Sequence, residues 1–144
     1  MTKVVINGCY GGFSLSKEGI KRYCEIKNIP CWIEEDKKFK SMGLYTVWTT
    51  PPDQRIESKE GEDFRALSME DRKAYNEAYS AQTIYCRDIA RDDPALVQLV
   101  EENAELYAGR CAQLEVVEIP DDVQYQIEEY DGNEWVAEVH RTWR

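Results

Sequence analysis

Val123–Val139 reads VQYQIEEYDGNEWVAEV, and the period of its apolar residues decides the fold class. Val123, Tyr125 and Ile127 alternate with Gln124, Gln126 and Glu128, the two-residue period of a half-buried strand. Asp131-Gly132 tolerates the left-handed backbone of a tight hairpin turn. Trp135, Ala137 and Val139 continue the alternation on the returning strand. Upstream, Leu114 and Val116 alternate with Gln113 and Glu115, and Pro120-Asp121-Asp122 turns the chain between the two segments. Consecutive strands joined by short turns make an antiparallel sheet, and its apolar face needs a cover. The expected class is α+β: an antiparallel sheet covered by two or three helices, in a single domain over 1–144.

Working back along the chain, the helices follow. Asp93 is a good N-cap, Pro94 suits the first helical position, and Gly109 follows the last turn. Between them Leu96, Leu99, Val100, Ala104 and Tyr107 form an apolar stripe at helical spacing. Glu101, Glu102 and Glu105 fall on the other side, a solvated face and not a set of catalytic carboxylates. Ser68 with Asp71 three residues later opens a second helix through Tyr79. Ser16 caps a third over Lys17–Lys27, with Ile20, Tyr23 and Cys24 on one face and Asn28 and Pro30 at its end. The β-branched run Lys3–Asn7 predicts a first strand, Leu44–Thr49 a second, and Thr83–Ile89 a short third. Residues 31–82 are partly loop-rich, and the stretch from Pro51 to about Gly61 is the most polar of the chain.

Composition narrows the function classes. The chain has 144 residues, 42% of them hydrophobic, which suits a packed core. No run approaches the roughly 18 apolar residues of a membrane span, and the start MTKVVING reads as a strand and not as a signal peptide. We therefore expect no membrane association and a cytoplasmic location. A formal charge of −10 argues against gripping a DNA or RNA backbone, which requires a basic face. A small anionic ligand is still allowed, because a pocket needs only a few local cations and amides. Five cysteines without a CxxC pair, and one histidine, do not build the usual zinc site. No metal and no cofactor are expected, and the thiols are expected to be reduced and mostly buried.

Three stretches carry candidate chemistry. In Gly8–Phe13, GCYGGF, the glycines either serve a tight strand-to-helix connection or free the amides of Gly11 and Gly12 and the rings of Tyr10 and Phe13 to face a ligand. Cys9 is a possible nucleophile only if His140 lies beside it. At the C-terminal end, His140-Arg141-Thr142-Trp143-Arg144 offers two guanidiniums suited to phosphate and an indole suited to a base. Equally, those arginines suit pairing with the many carboxylates, with Trp143 filling the edge of the core. Trp32, Trp48 and Trp135 are assigned to the core or a subunit interface.

The blocks VVINGCYGGFSLS, RDDPALVQLVEENAE and VVEIPDDVQYQIEEYDGNEWVAEVHRTW, in that order, resemble a group of short phage and prophage proteins, over roughly residues 3–30 and 83–143, which leaves 31–82 as a variable region. That group looks similar to the Thoeris anti-defence sponge proteins. The resemblance implies an α+β protein, dimeric or larger, that sequesters a cyclic ADP-ribose isomer without cleaving it, in the cytoplasm of an infected bacterium. Some members also hold cyclic oligonucleotides. It also implies a pocket near a subunit boundary, with arginines on the phosphates and an aromatic ring on the adenine. Arg141 is the first candidate and Arg22, on the first helix, a weaker one. The alternatives are an acidic interaction protein that inhibits a host enzyme, and a small Cys9/His140 hydrolase.

Overall fold

The computed structural model describes residues 1–35, 44–59 and 61–139. The class is α+β, with every strand pair antiparallel. Among the described residues the strands sort into three small sheets. The chain divides into two compact units, Met1–Asn28 with Cys86–Arg144, and Ile29–Tyr85. The second unit nearly coincides with the variable region read from the sequence. No helix among the described residues is long and apolar enough to cross a membrane.

In the first unit, β1 (Thr2–Asn7) pairs with β5 (Leu114–Ile119), from Thr2 opposite Ile119 to Asn7 opposite Leu114. Val4 and Val5 are fully buried. α1 (Lys17–Lys27) starts where the Ser16 hydroxyl accepts the Gly19 N–H at 3.1 Å. It ends at Asn28, whose left-handed backbone (φ 58°) turns the chain out. α4 (Pro94–Tyr107) is capped by the Asp93 carboxylate, which accepts the Ala95 N–H at 2.9 Å. Ile20, Tyr23 and Cys24 of α1 are buried, as are Leu96, Leu99 and Val100 of α4, and the two helices pack on each other. Asp93 also accepts from the Tyr23 hydroxyl at 2.9 Å and pairs with Lys27 at 3.2 Å. Burial alone would raise the Asp93 carboxyl, but its hydrogen bonds from Ala95, Tyr23 and Lys27 together leave it below its usual value. Burial first, and then the hydrogen bond to Asp93, push the Tyr23 hydroxyl up to about 12.

One interruption in α4 escapes a stripe-based reading. Asn103 leaves helical geometry (φ −164°, ψ 81°), and its side-chain oxygen accepts the Leu106 N–H at 3.1 Å. Asparagine competes for backbone partners in this way. Ala104 and Tyr107, beyond the break, are only half-buried.

β6 (Tyr125–Tyr130) and β7 (Asn133–Glu138) form the expected hairpin. Asp131 and Gly132 both have positive φ, 51° and 85°, the signature of a type I′ turn. The turn removes the core alternative from the assignment of Trp135. A two-residue loop places Ile127 opposite Val136 and Glu128 opposite Trp135. Odd-numbered residues of β6 therefore share a face with even-numbered residues of β7. Trp135 accordingly stands outward, 44% exposed, donating its indole N–H to Glu128 at 3.0 Å. Glu134 takes the buried place.

The second unit holds β2 (Trp32–Glu35), β3 (Tyr45–Trp48) and β4 (Thr83–Ile84), in that sheet order. It also contains the single-turn α2 (Glu62–Arg65) and α3 (Met69–Gln82), with Ser68 capping the latter through the Asp71 N–H. β2 was not anticipated. The strand expected over Thr83–Ile89 stops at Ile84 and gives way to a 3₁₀ turn at Cys86–Asp88. Val47 and Trp48 are buried, and Trp48, Tyr79, Tyr75 and Phe64 make a succession of ring contacts 5.4–6.3 Å between centroids. The Arg55 guanidinium lies 4.7 Å over Trp48, and that of Arg72 5.7 Å over Phe64. Trp32 is at the margin of exposure and belongs to no core.

Candidate ligand site at the glycine-rich loop

The two edges of β1 are completed differently. One pairs with β5; the other makes no backbone ladder among the described residues. There the Val5 N–H donates to the Arg91 carbonyl at 2.8 Å, and the Asn7 N–H donates to Glu134 Oε1 at 2.8 Å. Arg91 Nη1 returns a bond to the Val5 carbonyl at 3.2 Å. An ion pair thus stands in for a third strand. Arg91 and Glu134 meet through two parallel bonds, Nη1 to Oε1 at 2.7 Å and Nη2 to Oε2 at 2.9 Å. Buried backbone groups need partners, and here one carbonyl and two side chains provide them.

Asn7 ties the glycine-rich loop to the hairpin. It is fully buried, and its amide nitrogen donates to the carbonyls of Cys9 and Gly132, both at 2.7 Å. Its oxygen accepts the Gln113 N–H at 2.8 Å and the Cys9 thiol at 3.4 Å. The glycines serve this closeness. Gly11 (φ 130°) donates to the Asp131 carbonyl, and a Cβ there would stand 2.5 Å from the Cys111 carbonyl oxygen. A Cβ on Gly132 would collide with the Gly12 nitrogen. The tight-connection reading of GCYGGF therefore holds for Gly11, and Gly132 of the hairpin turn closes on Gly12 in the same way.

Beside the seated loop is a cavity of about 410 Å³. Gly12 and Phe13 come from the loop, Arg87 and Arg91 from the segment before α4, and Ile127, Glu129 and Glu134 from the hairpin. Phe13 is buried, and the Arg91 guanidinium lies 3.7 Å over its ring centroid. The Arg87 side chain reaches over Gly12, its Nη2 lying 3.5 Å from where a Cβ would be. Among the described residues Arg87 makes no ion pair. Two guanidiniums and two carboxylates therefore line the cavity, and their formal charges cancel.

The structure distributes the expected site residues unevenly. Gly12 and Phe13 line the cavity, while Gly11 sits on the hairpin turn behind them. Tyr10 is 64% exposed and contributes nothing to the lining. Arg22 is removed from the site: its guanidinium holds Glu102 at 3.0 Å and Glu25 at 3.1 Å on the α1–α4 surface. Hydrogen bonding to Glu102, then Glu25, raises its pKa further. His140, Arg141, Thr142 and Trp143 lie outside the described residues. Cys9 donates its thiol to the Asn7 side-chain oxygen and, at 3.2 Å, to the Cys111 carbonyl. Neither neighbour is a base. The thiols are less buried than expected, with Cys24 enclosed, Cys9, Cys31 and Cys86 half-buried and Cys111 exposed. No group of three metal-ligating side chains occurs among the described residues.

Arg87, Arg91, Glu129 and Glu134 were not singled out from the sequence. The signal for Glu134 was present in the two-residue loop, which fixes the parity of β7. Arg91 carried none, since an arginine two residues before an N-cap reads as surface. No family model, curated protein or solved structure matches this chain.

Proposed function

We propose that this protein binds and sequesters a small nucleotide-derived signal without cleaving it, as the anti-defence sponges that its three blocks resemble do. The observation that carries the reading is the cavity beside Gly12, where the Arg87 guanidinium, without an ion pair among the described residues, overhangs a glycine backbone. Its volume lies within the roughly 300–1,000 Å³ of small-ligand pockets. Preorganised donors and enclosure give affinity without any nucleophile. Arg141 is proposed to add a further cation, and a homodimer or larger assembly is proposed to complete the pocket. The proposed setting is the cytoplasm of an infected bacterium.

A mix-and-recover assay tests this. Protein is incubated with cyclic ADP-ribose isomers and cyclic di- and trinucleotides, filtered, heat-denatured and filtered again. A signal that disappears and returns intact is the expected result, with Arg87→Ala and Arg141→Ala each weakening capture. A signal returned as a different compound would make the protein an enzyme. If nothing disappears, the nucleotide reading fails, and an acidic surface that docks on a protein partner becomes the better account of the −10 charge.

A further inference from the structure

Because the charges around the cavity cancel, Coulomb attraction alone does not select a ligand there. The feature left over is a flat one. A guanidinium is planar, and that of Arg91 is fixed in every direction but one. Its lower face lies on Phe13 at 3.7 Å. Its outer edge is held by the fork of Glu134, and Nη1 is also held by the Val5 carbonyl. The Arg91 side chain nevertheless keeps 18% of its surface exposed, and the residue lines the cavity. Among the described residues no ring contact or ion pair covers the face opposite Phe13.

Such a face, desolvated on one side and neutralised along its edge, is a stacking platform. Arginine planes stack on aromatic and heteroaromatic rings, and nucleobases use them as they use tyrosine or phenylalanine. The platform is also rigid, so a ring settling on it immobilises no side chain. We infer that Arg91 is a specificity-determining residue: a flat heteroaromatic group of the ligand, of nucleobase class, stacks on its guanidinium as the third layer over Phe13. Arg87 then takes the ligand's anionic group at the rim. The inference rests on the proposed function for the choice of a nucleotide, and it adds which part of that nucleotide the cavity reads.

Calorimetric titration of the full chain with adenosine monophosphate and ribose 5-phosphate separates the two ideas, since both carry one phosphate and only one carries a base. Adenosine monophosphate should bind about tenfold more tightly, the size of one base–ring stack. Arg91→Lys keeps a charge for Glu134 and removes the plane. With an unchanged circular dichroism spectrum, it should bring the base-bearing ligand down to the level of ribose 5-phosphate. Arg87→Ala should weaken both ligands by the same factor. Equal binding of the two ligands to the unaltered protein would overturn the stacking role and leave the anion site standing. So would a base preference that persists in folded Arg91→Lys. If neither ligand binds at millimolar concentration, the nucleotide reading falls and the stacking role with it.

Discussion

The two units bury their side chains by different means. Around β1, aliphatic residues from two helices and a two-strand ladder close completely, with Val4, Val5, Leu96 and Leu99 wholly out of solvent. A polar cluster of Asn7, Arg91 and Glu134 sits against them with its partners arranged around it. In Ile29–Tyr85 no residue of α3 is fully buried, and rings touch in a succession of edge, stacked and tilted contacts flanked by two arginines. The lesson concerns where single atoms matter. A closed core is sensitive to one lost hydrogen bond at a fully enclosed group such as Asn7, because water cannot enter there to replace it. A half-open stack of rings is sensitive to lost area and tolerant of lost polar atoms. The Trp48 indole N–H, buried without a partner, is already one such atom.

Asn7→Ala should produce the largest effect and strike the first unit alone. It strands the Gln113 N–H and two carbonyls, at a cost of roughly 4 kcal/mol. Urea denaturation measures the total, and hydrogen exchange shows which unit opens; equal loss of protection in both units would break the contrast. Glu134→Gln keeps the shape but leaves Arg91 without its counter-charge, for about 3 kcal/mol. A double-mutant cycle with Arg91→Gln should recover part of that loss, and strict additivity would show that the two side chains act separately.

A pH titration sharpens the comparison next. Tyrosine in an unfolded chain ionises near 10, while burial and Asp93 hold Tyr23 at about 12. Its contribution is therefore fully present below pH 10. Between 10 and 12 the unfolded chain releases the proton first, and stability falls by up to about 1.4 kcal/mol per pH unit. Tyr23→Phe should flatten that arm of the profile. The smallest effects come from the same cap in two settings. Ser16→Ala loses both the Gly19 bond and the bond to the Leu106 carbonyl at 2.8 Å, whereas Ser68→Ala loses only the Asp71 bond. We expect about 1.5 and about 0.7 kcal/mol. A reversal of that order, seen by thermal melts, would deny that the first unit amplifies local losses.

Features set by neighbours in sequence were the legible ones. Ser16, Ser68 and Asp93 cap the helices expected of them, and Asp131-Gly132 makes the turn. Local chemistry decides such features. The misreadings have a common origin in distant partners. Trp135 was placed by apolar character, whereas the turn length fixed its face. β2 is four residues long and pairs only because β3 lies beside it. The break at Asn103 is invisible to a stripe that continues on either side. Of the candidate site, Gly12 and Phe13 were readable because a glycine run marks a close approach. Arg87, Arg91 and Glu134 were not, because their roles exist only once residues 5, 91 and 134 meet. The C-terminal cluster from His140 onward lies outside the described residues, so the structure leaves that expectation as it stood.

The ion pair beside β1 also sets an order in time. Ribosomes add about 5–20 residues per second, so the acceptor on Glu134 arrives on the order of ten seconds after Asn7 has been made. Arg91 arrives sooner and covers only Val5. In that interval the newborn strand VVIN presents apolar side chains and a free row of amides, the arrangement that recruits strands from other chains. Translation slowed between residues 91 and 134 would lengthen the exposure, and aggregation during synthesis would rise without any change in the finished molecule.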